Sequence, residues 1–244
     1  MPDMERIKVE GIVSSYGKKQ VLKQVSFAAE AGTCTALVGA NGCGKSTLLR
    51  ILAGLRTPRQ GSISFDGLEL TGRDKKKQFL SYVGYVPQES NLVPELTVKD
   101  NLLLWHQDKI ALEHMLQNGF LHILGLQDML LQRAGNLSGG MKKRVSIGCA
   151  VAGNPPILLL DEPNAALDLP GKADIRSYLS FYKEHGGTII MATHEETDLE
   201  LCEQVLCLRD GRCHPIEKTL RGQALLKEIR FHDAENKDLV ANRI

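Results

Sequence analysis

The sequence predicts an α/β protein whose functional residues gather at the ends of its buried strands, and three observations carry that prediction. Short apolar runs at residues 35–38, 82–86, 157–160 and 188–192 read as strands. Segments of helical character separate them, at residues 46–52, 96–127, 138–151 and 171–183. Each run ends in a glycine or a polar side chain: Gly39 after the first, Gln88 just past the second, Asp161 and Glu162 after the third, Thr193 and His194 after the fourth. In α/β sheets the ligand crevice lies outside such strand ends.

The entry to the chain is strand-rich. Residues 6–13 and 21–28 alternate apolar and polar, and residues 14–19 between them read as a turn. Tyr16, shortly upstream of a glycine-rich loop, is either a ring that stacks on an adenine or a partly exposed turn tyrosine. The loop is Gly39-Ala40-Asn41-Gly42-Cys43-Gly44-Lys45-Ser46-Thr47, which fits G-x-x-x-x-G-K-[ST] with a strand before it and a helix after it. Its glycines let successive N–H groups converge on phosphate oxygens at a helix N-terminus. Lys45 is expected to reach the β- and γ-phosphates of a nucleoside triphosphate, and the Ser46 hydroxyl to complete a Mg²⁺ shell.

Beyond the first helix, residues 55–61 form a breaker-rich loop, and residues 62–65 read as a strand closed by Asp66-Gly67. The basic run Lys75, Lys76 and Lys77 reads as a solvated helix face. From residue 96 to 127 the composition shifts towards Leu, His and Gln; this is a helical insertion, with Thr97 as N-cap and Asn118-Gly119 and Gly125 as interruptions. His106, His114 and His122 recur at intervals of eight, which does not stack them at ligand distance, so no metal site is expected there. Trp105 is core or a partner-facing anchor. Leu137-Ser138-Gly139-Gly140-Met141 then opens a helix, with Ser138 as N-cap and the glycines baring N–H groups to an anion.

The run at 157–160 delivers two carboxylates to its end. Asp161 can hold a metal shell while Glu162 orients and polarises an attacking water. Residues 163–168 are a loop, and His194, in the same series of strand-end residues, reads as a γ-phosphate sensor. Residues 205–208 form another strand, closed by Asp210-Gly211, with Cys202 and Cys207 as small core residues. The remainder holds one short amphipathic helix at 220–229 and a polar tail.

Composition narrows the partners. At 244 residues, with 43% hydrophobic and 24% charged residues, the chain is long enough for a sizeable core. A net charge of +1 argues against a nucleic-acid partner. Six cysteines without a C-x-x-C pair read as reduced thiols. Residues 1–6 lack the apolar core of a signal peptide, and no stretch of about 18 apolar residues occurs. Any membrane role is therefore expected through a partner, from a cytoplasmic position.

Over roughly residues 6–212 this ordered set of motifs resembles the nucleotide-binding subunit of an ATP-binding-cassette (ABC) transporter. The resemblance implies a P-loop NTPase (RecA-like) core with an antiparallel β subdomain and a helical subdomain insertion. One ABC ATPase domain would span 1–213, with core 1–88 and 154–213 and helical subdomain 89–153, followed by a short C-terminal extension at 214–244. ATP and Mg²⁺ are the implied cofactors. Tyr16 becomes the adenine-stacking aromatic, residues 39–47 the Walker A loop, and Gln88 the Q-loop residue that joins Ser46 and Asp161 at the metal. Ser138, Gly139 and Gly140 become the signature contacts, residues 157–161 the Walker B strand with Glu162 as base, residues 165–168 with Asp168 the D-loop, and His194 the switch histidine.

Cassettes of this family pair head to tail, so Ser138 and Gly140 would meet the γ-phosphate held by the partner's Lys45. A second copy or a paralogous cassette and an integral membrane subunit are the implied partners. Met141 stands where Gln is commonest and Ala165 where Ser is usual; neither change removes a phosphate ligand. Cys43 inside the loop implies sensitivity to alkylation by steric exclusion. The chain looks most like bacterial exporter cassettes made as separate subunits; the alternative is a soluble ABC ATPase of non-transport function, such as iron–sulfur cluster assembly.

Overall fold

The structure, a computed structural model, describes residues 5–69, 81–106, 108–165 and 167–230. The first four residues, the lysine run at 75–77, Ala166 of the expected D-loop and the tail from 231 lie outside the described residues.

The chain opens with a hairpin of β1 (Glu5–Tyr16) and β2 (Lys19–Glu30). Their alternation turns Ile7, Val9, Ile12, Leu22, Val25 and Phe27 inward. Both strands run beyond the alternating segments: Tyr16 pairs with Lys19, so the turn expected at 14–19 shrinks to Gly17-Lys18. Register shifts between Val9 and Ile12 and again up to Ser15 break the two-residue period before the strand itself ends.

β3 (Cys34–Val38) leads into α1 (Lys45–Leu52). β4 (Gln60–Phe65) and β5 (Leu68–Glu69) return to the first sheet, an antiparallel layer ordered β2-β1-β4-β5. β6 (Val83–Val86) precedes a helical region of α2 (Val98–Trp105), α3 (Lys109–Asn118), α4 (Phe120–Ile123) and α5 (Gly139–Val151). Thr97 caps α2 in a reciprocal box: Asp100 N–H donates to the Thr97 hydroxyl (3.1 Å) and Thr97 N–H to the Asp100 carboxylate (3.4 Å). Trp105 is 59% exposed, which removes the core reading of that residue.

The remaining elements are β7 (Ile157–Asp161), α6 (Leu169–Glu184), β8 (Thr188–Ala192), β9 (Gln204–Arg209), β10 (Arg212–Ile216) and α7 (Gly222–Arg230). The second sheet is ordered β10-β9-β3-β8-β7-β6, parallel from β9 to β6. Every residue of β3, β7 and β8 is buried, which is why these strands appear in the sequence as unbroken apolar runs. β10 is absent from the sequence reading. Its Pro215 and polar residues mask it, and an antiparallel edge strand tolerates both.

The parallel sheet divides two cores. Leu48, Leu49, Ile51 and Leu52 of α1 pack with Ile7, Val25 and Phe65 of the antiparallel layer and with Leu159 and Ile190 of the parallel one. Leu158 and Leu160, one residue out of phase on β7, join Val145 and Ile147 of α5 and Ile175 and Tyr178 of α6 on the other face. Strand β6 lies hard against α5: a Cβ added at Gly84 would stand 2.4 Å from the Ala150 carbonyl oxygen. Gly84→Ala should therefore push strand and helix apart, costing about 1–3 kcal/mol; urea denaturation would show this as a lowered midpoint at unchanged slope.

Candidate functional site

Strand register sets the site. Leu37 pairs with Ala192, Ala192 with Asp161, and Leu160 with Val86, so four parallel strands end level with one another. The residues that follow share one cleft of about 600 Å³. Tyr16, Asn41, Gly42, Gly44, Lys45, Ser46, Thr47, Gln88, Glu162 and His194 all line it.

The glycine-rich loop closes between β3 and α1 on a turn in which Cys43 N–H donates to the Ala40 carbonyl (3.2 Å). Gly39 has φ of 150°, and a Cβ there would stand 2.4 Å from the Leu208 carbonyl oxygen, so the loop's base rests directly on β9. Lys45 is 6% exposed, and its ammonium donates to the carbonyls of Gly39 (2.7 Å) and Ala40 (3.3 Å). Its charge is thereby fixed at the cleft by the loop it belongs to. The Cys43 side chain packs towards the core beneath the loop, and burial raises its thiol pKa.

Tyr16 stands at the mouth, its hydroxyl 3.5 Å from the Thr47 hydroxyl. The Arg56 guanidinium lies 3.9 Å from the ring centroid and is itself anchored on the Ser14 hydroxyl and the Ser15 carbonyl. One ring face is thus taken by Arg56, a residue the sequence offered only as part of a breaker-rich loop, while the tyrosine as a whole is 49% exposed and lines the cleft.

Asp161, 3% exposed, lies beside the Ser46 side chain. Burial raises its pKa, as does the neighbouring Glu162, while Ser46, Arg50 and Lys45 oppose the rise. A sequestered carboxylate beside a serine hydroxyl is a hard-oxygen pair that suits a divalent cation such as Mg²⁺.

Glu162 occupies the left-handed region, with φ of 50°. Such a residue carries a backbone cost of roughly 1–2 kcal/mol. Its N–H donates to the Ala192 carbonyl (2.9 Å), which pins the reversal to β8. Its carboxylate accepts from Gln88 Nε2 at 2.9 Å on one oxygen and lies 3.3 Å from His194 Nε2 on the other. Burial lowers the His194 pKa and Lys45 lowers it further, with Glu162 opposing. Burial and Lys45 together favour the neutral imidazole, and its Nε2 stands within reach of Glu162.

Behind these groups lie two residues that carry no motif. Asp198, 4% exposed, accepts from the Thr193 hydroxyl (2.5 Å) and from the Asn164 amide (2.5 Å), which ties the segment after Glu162 to the segment that carries His194. Lys143, 7% exposed, donates to the carbonyls of Pro87 (3.3 Å) and Gln88 (3.0 Å).

Four expected contacts lie away from the cleft. Ser138 caps α5, accepting from Met141 N–H at 3.3 Å, with Ser138 and Gly139 exposed and Gly140 half-buried. Asp168 caps α6, accepting from Gly171 N–H at 3.0 Å. Among the described residues no cluster of three or more His, Cys, Asp or Glu side chains suits a metal ion.

This edge is that of a P-loop nucleotide-binding protein, in which a phosphate cradle and two strand-end carboxylates face one crevice. The ABC transporter family model matches residues 22–165. Nod factor export ATP-binding protein I of Neorhizobium galegae is 35% identical over 84% of this chain and 60% of its own length. The Fe(3+) ions import ATP-binding protein FbpC of Mesorhizobium japonicum is also 35% identical, over 86% of this chain and 59% of its own. A dimeric ATP-binding cassette solved in a post-hydrolysis state with ADP and Pi superposes with a TM-score of 0.76 at 28% identity, over 88% of this chain and 99% of that one. The chain belongs to the ABC transporter ATP-binding family.

The placement of Cys43 tempers the alkylation expected from its position in the loop. A thiol that burial holds protonated should react with N-ethylmaleimide at least about tenfold more slowly in the native chain than in the unfolded one; peptide mapping of Cys43 over time would measure the ratio.

Proposed function

We propose that this chain is the ATP-binding and ATP-hydrolysing subunit of an ABC transporter, which closes in a pair with a second copy or a paralogous cassette and drives export through a separate integral membrane subunit from the cytoplasmic face. The observation that carries this reading is the Glu162 carboxylate, held at the cleft between Gln88 and His194 and adjacent to the Asp161–Ser46 pair. Among the described residues no helix is long and apolar enough to cross a membrane, so passage through the bilayer is assigned to the partner.

The roles follow from position. Tyr16 stacks the adenine on the face opposite Arg56. Backbone N–H groups of Asn41, Gly42, Cys43, Gly44, Lys45, Ser46 and Thr47 cradle phosphate, with Gly39 allowing the loop its turn. Lys45 neutralises charge on the β- and γ-phosphates. Ser46, Asp161 and Gln88 would hold Mg²⁺, which supplies charge neutralisation on the phosphates. Glu162 orients water and accepts its proton, and neutral His194 donates to the γ-phosphate.

Ser138, Gly139, Gly140 and Asp168 serve a nucleotide on the partner subunit, which is why this chain's own cleft does not contain them. We assign the core to 1–88 and 154–213, the helical subdomain to 89–153 and an extension to 214–244. Support for export comes from the Nod factor relative's name and from the chain's likeness to exporter cassettes made as separate subunits; the iron relative, named for import, stands at the same identity.

Glu162→Gln should bind MgATP but lose at least about 100-fold in turnover, the range of a general base, and accumulate as an ATP-bound pair in size-exclusion chromatography. Near-wild-type turnover in that variant would remove Glu162 from the role of base. Lys45→Ala should instead fail at nucleotide binding, measured by equilibrium dialysis.

A further inference from the structure

Among the described residues Lys143 has no ion pair at contact distance, and it is buried to 7% exposure in the wall between α5 and the loop after β6. Lysine is rarely this buried unless paired, because removing an ammonium from water is costly. Here the ammonium is satisfied by two main-chain carbonyls, those of Pro87 and Gln88. Asp161 and Glu162 act on it through space against the burial that lowers its pKa. A neutral or apolar side chain would fill the same wall at lower desolvation cost.

The location of the two ends gives the hold a consequence. Lys143 lies on α5, five positions after Ser138, little more than one helical turn from the signature end. Gln88, whose carbonyl it grips, is the residue whose side chain donates to Glu162 at 2.9 Å. Two further contacts make helix and loop one body: the Ser90 and Ser146 hydroxyls bond at 3.2 Å, and Gly84 lets β6 touch the Ala150 carbonyl. A shift at the Ser138 end of α5 must therefore displace Gln88, and with it one of the two groups that hold the carboxylate.

We propose that Lys143 is a positioning residue that couples the signature end of α5 to the Gln88–Glu162 hydrogen bond, so that nucleotide engaged by Ser138 in one site of a cassette pair aligns the base in the other. This rests on the paired-cassette reading above. Lys143 does not line the cleft; it acts through the Gln88 backbone.

The full chain tests it with Lys143→Met and Lys143→Arg. Lys143→Met should lower kcat about tenfold while KM for ATP stays within about twofold, and should bring the Hill coefficient for ATP to 1. Lys143→Arg, which keeps a cation with several donors, should restore kcat to within about threefold. A readout independent of turnover is amide hydrogen exchange at 87–90 in the Glu162→Gln background. MgATP should slow that exchange with Lys143 present and leave it unchanged with Lys143→Met. Should the methionine variant not fold, Lys143→Gln serves, with a smaller loss in the same parameters.

Wild-type kcat, Hill coefficient and exchange in either neutral variant overturn the proposal while leaving the pairing intact. Equal losses in the arginine and methionine variants overturn it in favour of simple packing. If Glu162→Gln with Lys143 intact does not pair on MgATP, the paired reading fails and takes this proposal with it.

Discussion

The arrangement depends on the Glu162 carboxylate being held still from two directions. One oxygen is fixed by Gln88, at the end of β6, and the other faces His194, at the end of β8. Neither neighbour is close in sequence; both arrive because parallel register levels their strands with β7. The left-handed backbone at Glu162 turns the carboxylate out of the strand line that Asp161 continues. Adjacent acids are thereby placed in two settings: Asp161 is buried near Ser46, and Glu162 faces the cleft.

That hold is only as firm as the loops that supply it. His194 sits on a segment fastened by Thr193 to buried Asp198, and Asp198 also fastens Asn164, two residues past the base. Gln88 sits on a segment fastened by Lys143 to α5. The two fastenings run to opposite parts of the molecule, one towards α6 and its Asp168 cap, the other towards the helical region and its Ser138 cap. Both caps lie outside the cleft that their own chain forms. A site tuned by groups that point elsewhere is the architecture expected of a molecule that works as one half of a pair.

Much of the site was legible before any coordinates, because phosphate and metal chemistry require particular residues at particular spacings. The loop at 39–47, the strand-end residues Gln88, Asp161, Glu162 and His194, and the caps Thr97 and Ser138 all stood in local sequence. The buried strands were legible for a different reason: with both faces covered, β3, β7 and β8 have no polar phase to interrupt them. What stayed hidden depends on contacts between distant segments. Arg56 over Tyr16 bridges residues 40 positions apart, and Lys143 reaches a loop more than 50 positions away. β10 was hidden because an edge strand need satisfy only one neighbour, so proline and charge are permitted where they would argue against a central strand. The inward packing of Cys43 likewise could not be read from its place in the loop.

In the proposed pair, each working site would combine the phosphate loop of one chain with the signature helix of the other. Mixing two separately inactive variants tests it most directly: Lys45→Ala, which keeps its signature, and Ser138→Arg, which keeps its phosphate loop. Copurified as a mixed pair, they rebuild one complete site. ATPase activity should return in the mixed pair while each variant alone stays inactive; no recovery in a mixed pair shown to form, or wild-type activity in Ser138→Arg alone, would contradict a site shared between two chains.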